Sequence, residues 1–266
     1  MNPAGQSAGQ TLFGRVAVVT GGAGGLGSAI CRALANEGAT VVVGYHRSAD
    51  AATRLADNLA MNLPVMGNTH CALETPVTNS VALKNLAAGI EQRFGRLDIL
   101  VNCAGTTRFV AHGDLDDLDD ALIDKILATN VRGPFAAARA LRPLLAANRE
   151  GNDSGLIVNI SSIAAVSAMG SNVMYCASKA ALDNMTKSLA RALAPAIRVV
   201  SVSPGLVDTE FVKSLDVQWR NDQVARTPLA RLTTPGEVAK AVVASATHFT
   251  FSTGNIFAVD GGRPLS

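Results

Sequence analysis

Val16-Ala17-Val18-Val19-Thr20-Gly21-Gly22-Ala23-Gly24-Gly25-Leu26-Gly27 is the stretch on which the reading of this chain turns. Its first five residues, apolar, rich in valine and uncharged, read as a strand buried on both faces. From Leu26 onward apolar residues recur at helical spacing, so the glycines form a strand-to-helix turn. Residues without Cβ let the backbone approach a pyrophosphate closely, and the helix N-terminus behind them supplies free N–H groups and a partial positive charge. Glycine-rich stretches are common, and it is the position at the first strand-to-helix turn that gives this one its meaning. Gly21, Gly24, Gly25, Leu26 and Gly27 are therefore the expected phosphate-binding contacts.

Outward from this turn, short β-branched runs alternate with segments of helical period. Strands are expected at 16–20, 39–44, 65–71, 97–102, 155–161, 198–203 and 255–259. Helices are expected at 26–37, 49–63, 80–94, 118–148, 175–194 and 235–246, the longest breaking near Gly133–Pro134. Alternation of this kind builds parallel βαβ units. No Pro/Gly/Ser-rich linker or repeat interrupts it, so the expected fold class is α/β, one doubly wound Rossmann-type domain over 12–266. Its seven-stranded parallel sheet carries helices on both faces, and a flexible segment of residues 1–11 precedes it.

Of 266 residues, 48% are hydrophobic and 17% charged, enough apolar material for a large core. A net charge of +2, with scattered Lys and Arg, offers no basic stripe for nucleic acid. No apolar run approaches the ~20 residues that cross a bilayer, and the first dozen residues lack a signal peptide's apolar stretch, so no membrane contact and a cytoplasmic location are expected. Cys31, Cys71, Cys103 and Cys176 lack paired metal-site spacing and read as reduced, small buried hydrophobes. Asp114, Asp116, Asp117, Asp119 and Asp120 fall where a helix begins and suit its dipole, so no metal site is assigned.

After the second strand comes Gly44-Tyr45-His46-Arg47-Ser48. An NAD-preferring site would place a carboxylate here for the adenosine ribose hydroxyls. Tyr45 closes the strand instead, and Arg47 and Ser48 can bind a 2′-phosphate by charge-assisted hydrogen bonds, which favours NADP(H) over NAD. Gly24 stands against this preference, since it occupies a place in the turn suited to a basic residue.

Tyr175-Cys176-Ala177-Ser178-Lys179 opens an apolar-periodic helix. Residues i and i+4 share a helix face, so a phenol and an ammonium meet in one environment. A free tyrosine, with a pKa near 10, is a poor base at neutral pH, and a nearby cation favours its phenolate. Ser162 lies 13 residues earlier, just beyond a strand and hence at the carboxyl edge where such sheets bind ligands. Asn102-Cys103-Ala104-Gly105 closes the fourth strand at the same edge, and Asn130 opens a helix that can reach it. Each also has a plainer reading, Ser162 as a turn residue, Asn102 as a strand-end hydrogen bonder and Asn130 as a capping amide.

Together and in order, these residues resemble the classical branch of the short-chain dehydrogenase/reductase family, including its 3-oxoacyl-carrier-protein reductase-like members. The carrying motifs are Thr20–Gly27, Asn102–Gly105, Asn130, Asn159-Ile160-Ser161-Ser162, Tyr175–Lys179, Pro204-Gly205 with Thr209, and Thr253-Gly254 with Val259-Asp260-Gly261-Gly262. The resemblance implies a tetrad of Asn130, Ser162, Tyr175 and Lys179. Tyr175 would exchange a proton with the substrate oxygen, Ser162 would polarise the carbonyl, Lys179 would hold the nicotinamide ribose, and Asn130 would hold a water. It further implies cofactor contacts at Asn102, Ala104, Gly105, Pro204, Gly205, Val207 and Thr209. The implied reaction interconverts a small-molecule carbonyl and a secondary alcohol, in a homotetramer built through the two long helices and the C-terminal segment.

The sequence departs from the family pattern at three positions. Cys103 replaces a second asparagine, Val200 stands where asparagine is common, and Pro76-Val77 replaces an aspartate that contacts adenine, leaving the main chain at Val77. Segment 208–232, which carries few helix signals, is expected to cover the substrate with Phe211, Leu215 and Trp219. Met169, Met174 and Leu206 would make the pocket apolar, with Thr107, Arg108, Ser171 and Asn172 offered for polar groups. A carrier-protein substrate would need a basic docking surface, for which Arg108, Arg132 and Arg191 are the candidates. Two rival classes are a catalytically silent nucleotide-binding regulator of the same fold and an epimerase or dehydratase of extended type.

Overall fold

Side chains alternate across the first strand, and with them the two cores of the molecule. In β1 (Val16–Thr20) all five residues are buried. Val16 and Val18 enter one apolar cluster, Ala17 and Val19 the other, as the period of two requires. The computed structural model describes residues 11–62, 69–147 and 153–265. Its strands β2 (Thr40–Tyr45), β3 (Cys71–Glu74), β4 (Ile99–Asn102), β5 (Gly155–Ile160), β6 (Ile197–Pro204) and β7 (Ile256–Val259) join β1 in one parallel sheet of order β3-β2-β1-β4-β5-β6-β7.

Helices cover both faces. On one lie α1 (Gly25–Asn36), α2 (Ala49–Asn62) and α10 (Pro235–Thr247), packing around Val19, Val43 and Val101. On the other, α3 (Ser80–Phe94) and α5 (Gly133–Ala146) pack around Val18, Leu100 and Ile157. Strand order reverses between β1 and β4, whose carboxyl ends meet at the register pair Thr20 and Asn102. Open α/β sheets bind ligands in the crevice at such a switch point. Among the described residues no helix is long and apolar enough to cross a membrane.

Several elements depart from expectation. The strand expected at 65–71 falls largely on 63–68, outside the described residues, and so do residues 1–10 of the expected flexible segment. β3 occupies Cys71–Glu74, paired from Val42 to Tyr45. It is a half-exposed edge strand of four residues, set by its pairing with β2 more than by local propensity. The helix expected at 118–148 is α4 (Asp120–Leu127), a π-helical turn (Ala128–Arg132) and α5 in succession. α7 (Val173–Leu193) starts earlier than expected because Asn172 caps it, and the unexpected α6 (Ala164–Ser167) precedes it. Segment 208–232 contains two short helices, α8 (Glu210–Lys213) and α9 (Val217–Ala225). α9 buries none of its residues, so no apolar period announces it; the Asp216 carboxylate, accepting from Trp219 N–H at 2.8 Å, starts it.

Candidate active site

The glycine turn is shaped by contacts that forbid side chains. Gly21 has φ +65°, and a Cβ there would lie 3.0 Å from Ala104 Cα. A Cβ at Gly27 would lie 2.2 Å from the Gly21 carbonyl oxygen. Gly24 and Gly25 are exposed; an added Cβ would press on Gly21 O at 3.3 Å in the first and make ordinary contact with Thr209 Cγ2 at 3.6 Å in the second. Gly24 is the N-cap of α1 and no side chain satisfies the first N–H groups of the helix. An open, cationic, amide-lined cradle of this kind fits a pyrophosphate. Leu26 packs on the core from the first turn of α1.

Around the cradle stand the other expected contacts. Gly22 N–H donates to Gly44 O at 2.8 Å, which brings the end of β2 against the turn. Tyr45 is half-buried there, and Arg47 and Ser48 are exposed just before α2. Val77 is buried against Gly133. Thr20 Oγ1 accepts from the amides of Cys103 and Ala104, both at 3.1 Å, joining the ends of β1 and β4. Gly205 N–H donates to Val259 O at 3.0 Å, and Pro204 O accepts from Ile163 N–H at 2.9 Å. Val207 bridges to Thr233, and Thr209 faces Gly25 across the crevice. The Asn102 side chain is buried and donates to Asn159 Oδ1 at 2.9 Å, tying β4 to β5 as its plainer reading, a strand-end hydrogen bonder, expects.

The tetrad candidates lie at the same edge. The Lys179 ammonium is buried, donates to Ile160 O at 2.8 Å and lies 5.7 Å from the centre of the Tyr175 ring. Asn130 sits in the π turn rather than at a helix start; such turns often mark functional positions because they displace one residue from the regular spiral. Its Oδ1 accepts from Thr106 N–H at 2.8 Å, and its Nδ2 donates to Thr106 O at 3.0 Å and Ser178 Oγ at 3.1 Å. A Cβ at Gly105 would come within 3.5 Å of Asn130 Oδ1 and 4.0 Å of Lys179 Nζ, so all three meet at one point. Ser162 follows β5 with its Oγ accepting from Ala164 N–H at 3.1 Å. Gly170 links that segment to Tyr175: a Cβ there would touch Ala164 Cβ at 3.0 Å and Tyr175 Cδ1 at 3.1 Å.

The family model described as enoyl-(acyl carrier protein) reductase matches residues 21–263. Cis-4-hydroxycyclohexanecarboxylate dehydrogenase of Sinomonas cyclohexanicum is 38% identical over 257 residues, covering 96% of this chain and 98% of that one. The 3-oxoacyl-(acyl-carrier-protein) reductase of Thermotoga maritima is 32% identical over 253 residues, 94% of this chain and 98% of its own. Among solved structures, the RhlG–NADP active-site complex of Pseudomonas aeruginosa superposes with a TM-score of 0.88 at 30% identity, covering 98% of this chain and 100% of that chain. The chain belongs to the short-chain dehydrogenase/reductase family.

Within this short-chain dehydrogenase/reductase, Ser178 escaped sequence reasoning, while Thr20 and Asn172 were read for other roles, Thr20 as the head of the glycine turn and Asn172 for a substrate's polar groups. Ser178 Oγ donates to Tyr175 O at 2.7 Å while accepting from Asn130. Asn172, offered above for a substrate's polar groups, is wholly buried and spends its amide inside the protein. Of the acidic cluster, Asp119 caps α4 by accepting from Leu122 N–H at 2.7 Å. Burial pushes the Cys103 thiol up to about 11, which keeps it protonated near neutrality. Burial also raises the Asp183 carboxyl, against hydrogen bonds from Ser161 and Ser201.

Proposed function

We propose that this protein is an NADP(H)-dependent oxidoreductase that interconverts a carbonyl and a secondary alcohol, with Tyr175 as general acid and base. The observation that carries the reading is the meeting of Lys179, Asn130 and the Gly105 backbone beside the Tyr175 ring. A nicotinamide cofactor, when bound, supplies or accepts the hydride. Everything else falls to the chain. In reduction the Tyr175 hydroxyl gives its proton to the carbonyl oxygen, and in oxidation the phenolate takes it back. The Lys179 cation stabilises the negative charge that Tyr175 then carries. Ser162 Oγ donates a hydrogen bond to the reacting oxygen, and the Asn130 amide, anchored on Thr106, orients the groups that return protons to Lys179.

Gly21, Gly24, Gly25, Leu26 and Gly27 hold the pyrophosphate, Tyr45, Arg47 and Ser48 the adenosine end, and Val77, Ala104 and Gly105 flank it. Gly205, Val207 and Thr209 lie towards the nicotinamide. The exposed Arg47 beside the Gly22–Gly44 contact supports NADP over NAD, as does the NADP complex of the related structure. Against a carrier-protein partner, Arg108 is engaged with Asp117 O and Asp119, and Arg132 donates to Thr78 O at 3.1 Å. A small-molecule substrate, a cytoplasmic setting and a homotetramer complete the reading.

A screen of ketones, sugars, hydroxy acids, oxoacyl thioesters and enoyl thioesters with NADPH and with NADH tests it. Turnover of a carbonyl compound that is lost in Tyr175→Phe is the expected result. Undiminished turnover in that variant overturns the assigned chemistry, and cofactor binding without turnover on any compound overturns the enzyme.

A further inference from the structure

Tyr175 is held through its backbone at both polar groups. Its N–H donates to Asn172 Oδ1 at 2.6 Å and its carbonyl accepts from Ser178 Oγ at 2.7 Å. From Ser178 the bonds continue to Asn130 and on to both backbone groups of Thr106. From the other side, Asn172 Nδ2 donates to Thr107 Oγ1 at 3.2 Å and to Arg108 O at 2.7 Å. Thr106 and Thr107 are adjacent, so the circuit closes. It runs from Tyr175 through Asn172, Thr107, Thr106, Asn130 and Ser178 back to Tyr175.

Asn172 is the closing link, and its chemistry is specific. The residue is 0% exposed. It supplies one acceptor to α7 and two donors to the loop after β4, a combination that an amide offers and a carboxylate does not. A helix cap alone needs just the acceptor; an NH2 group buried with two partners is a tether. The same two segments are also joined where Val110 N–H donates to Ser171 O at 2.8 Å and where His112 Nε2 lies 3.2 Å from Gly170 O. We propose that Asn172 is a positioning residue, which locks the turn bearing Tyr175 to the substrate-side loop 106–112 and so fixes the phenol against the reacting oxygen. This rests on the proton-transfer role given to Tyr175 above. Misplacing a reacting group by about 1 Å can cost on the order of a hundredfold in rate, so the expected effect is on kcat.

Asn172→Asp keeps the acceptor and removes both donors. With NADPH, and with an acetoacetyl thioester and 4-oxocyclohexanecarboxylate as carbonyl probes, this variant is expected to lose about tenfold or more in kcat. Its NADPH affinity, read by fluorescence titration, should stay close to wild type, while its melting temperature falls because a buried carboxyl group faces the Arg108 carbonyl oxygen without a donor. Thr107→Val should lose less, with KM unchanged and recovery in Thr107→Ser, and the double variant should be no worse than Asn172→Asp, since both open one tether. Wild-type kcat in Asn172→Asp, alongside an inactive Tyr175→Phe, overturns the proposal and leaves Asn172 a cap. Should Asn172→Asp not fold, Thr107→Val decides: a loss confined to KM, or no loss, overturns it. Full turnover in Tyr175→Phe overturns the role of Tyr175 itself, as does a wild type that reduces neither these probes nor any compound of the screen.

Discussion

Two glycines of this chain show how the same substitution takes opposite signs. A Cβ at Gly27 meets the Gly21 carbonyl oxygen at 2.2 Å, and backbone cannot swing aside. Gly27→Ala should cost about 3 kcal/mol and abolish NADPH binding, measured by thermal unfolding and fluorescence titration. Gly89, inside α3, has nothing within 4 Å of that position. Gly89→Ala should stabilise by about 1 kcal/mol, by removing backbone freedom from the unfolded chain. Arg47 is exposed just before α2, and in the proposed function its charge meets the 2′-phosphate: Arg47→Ala should weaken NADPH far more than NADH, and equal losses in the two titrations would remove the case for phosphate recognition. At this scale the pair Tyr175 and Lys179 was legible because i and i+4 share a face. Asn172 was not, because its partners Thr107 and Arg108 stand 65 and 64 residues away.

Elements were read best where pattern and caps agree. α10 begins at Thr234 with a complete capping box: the Thr234 hydroxyl accepts from Glu237 N–H, and the Glu237 carboxylate accepts from Thr234 N–H at 2.9 Å. Thr234→Ala should therefore cost about 1 kcal/mol in urea unfolding, with an unchanged slope. Where the environment decides, reading fell short. The π turn at Ala128–Arg132 has no sequence mark beyond the following Gly133-Pro134, and it is this turn that sets Asn130 into the bonds with Thr106 and Ser178. β3 is set by its register with β2, and α9 by one carboxylate cap on an otherwise solvated helix.

Across the whole molecule, the end of the sheet opposite the crevice is fastened by Asp98. Its buried carboxylate accepts from Val16 N–H at 2.8 Å and pairs with Arg15 at 3.0 Å and with Arg96 at 2.6 Å. Burial pushes the carboxyl up, but the hydrogen bonds from Arg96, Val16 and Arg15 outweigh it and hold it below its ordinary range. The unfolded chain thus takes up this proton first, so the contribution of Asp98 is complete above the ordinary carboxylate range and is lost as pH falls through the lower folded value. Asp98→Ala should cost about 3 kcal/mol at neutral pH and flatten the acid limb of the unfolding curve. The proposed homotetramer predicts a light-scattering mass four times the 27.4 kDa of one chain. Fold class, strand sequence and the glycine turn were readable from residues 16–27 outward, because burial on both faces and helical period are local patterns that neighbouring residues must satisfy. The ring through Tyr175, the π turn at Asn130 and the register of β3 emerged only on folding, because each depends on partners that the chain brings together from distant positions.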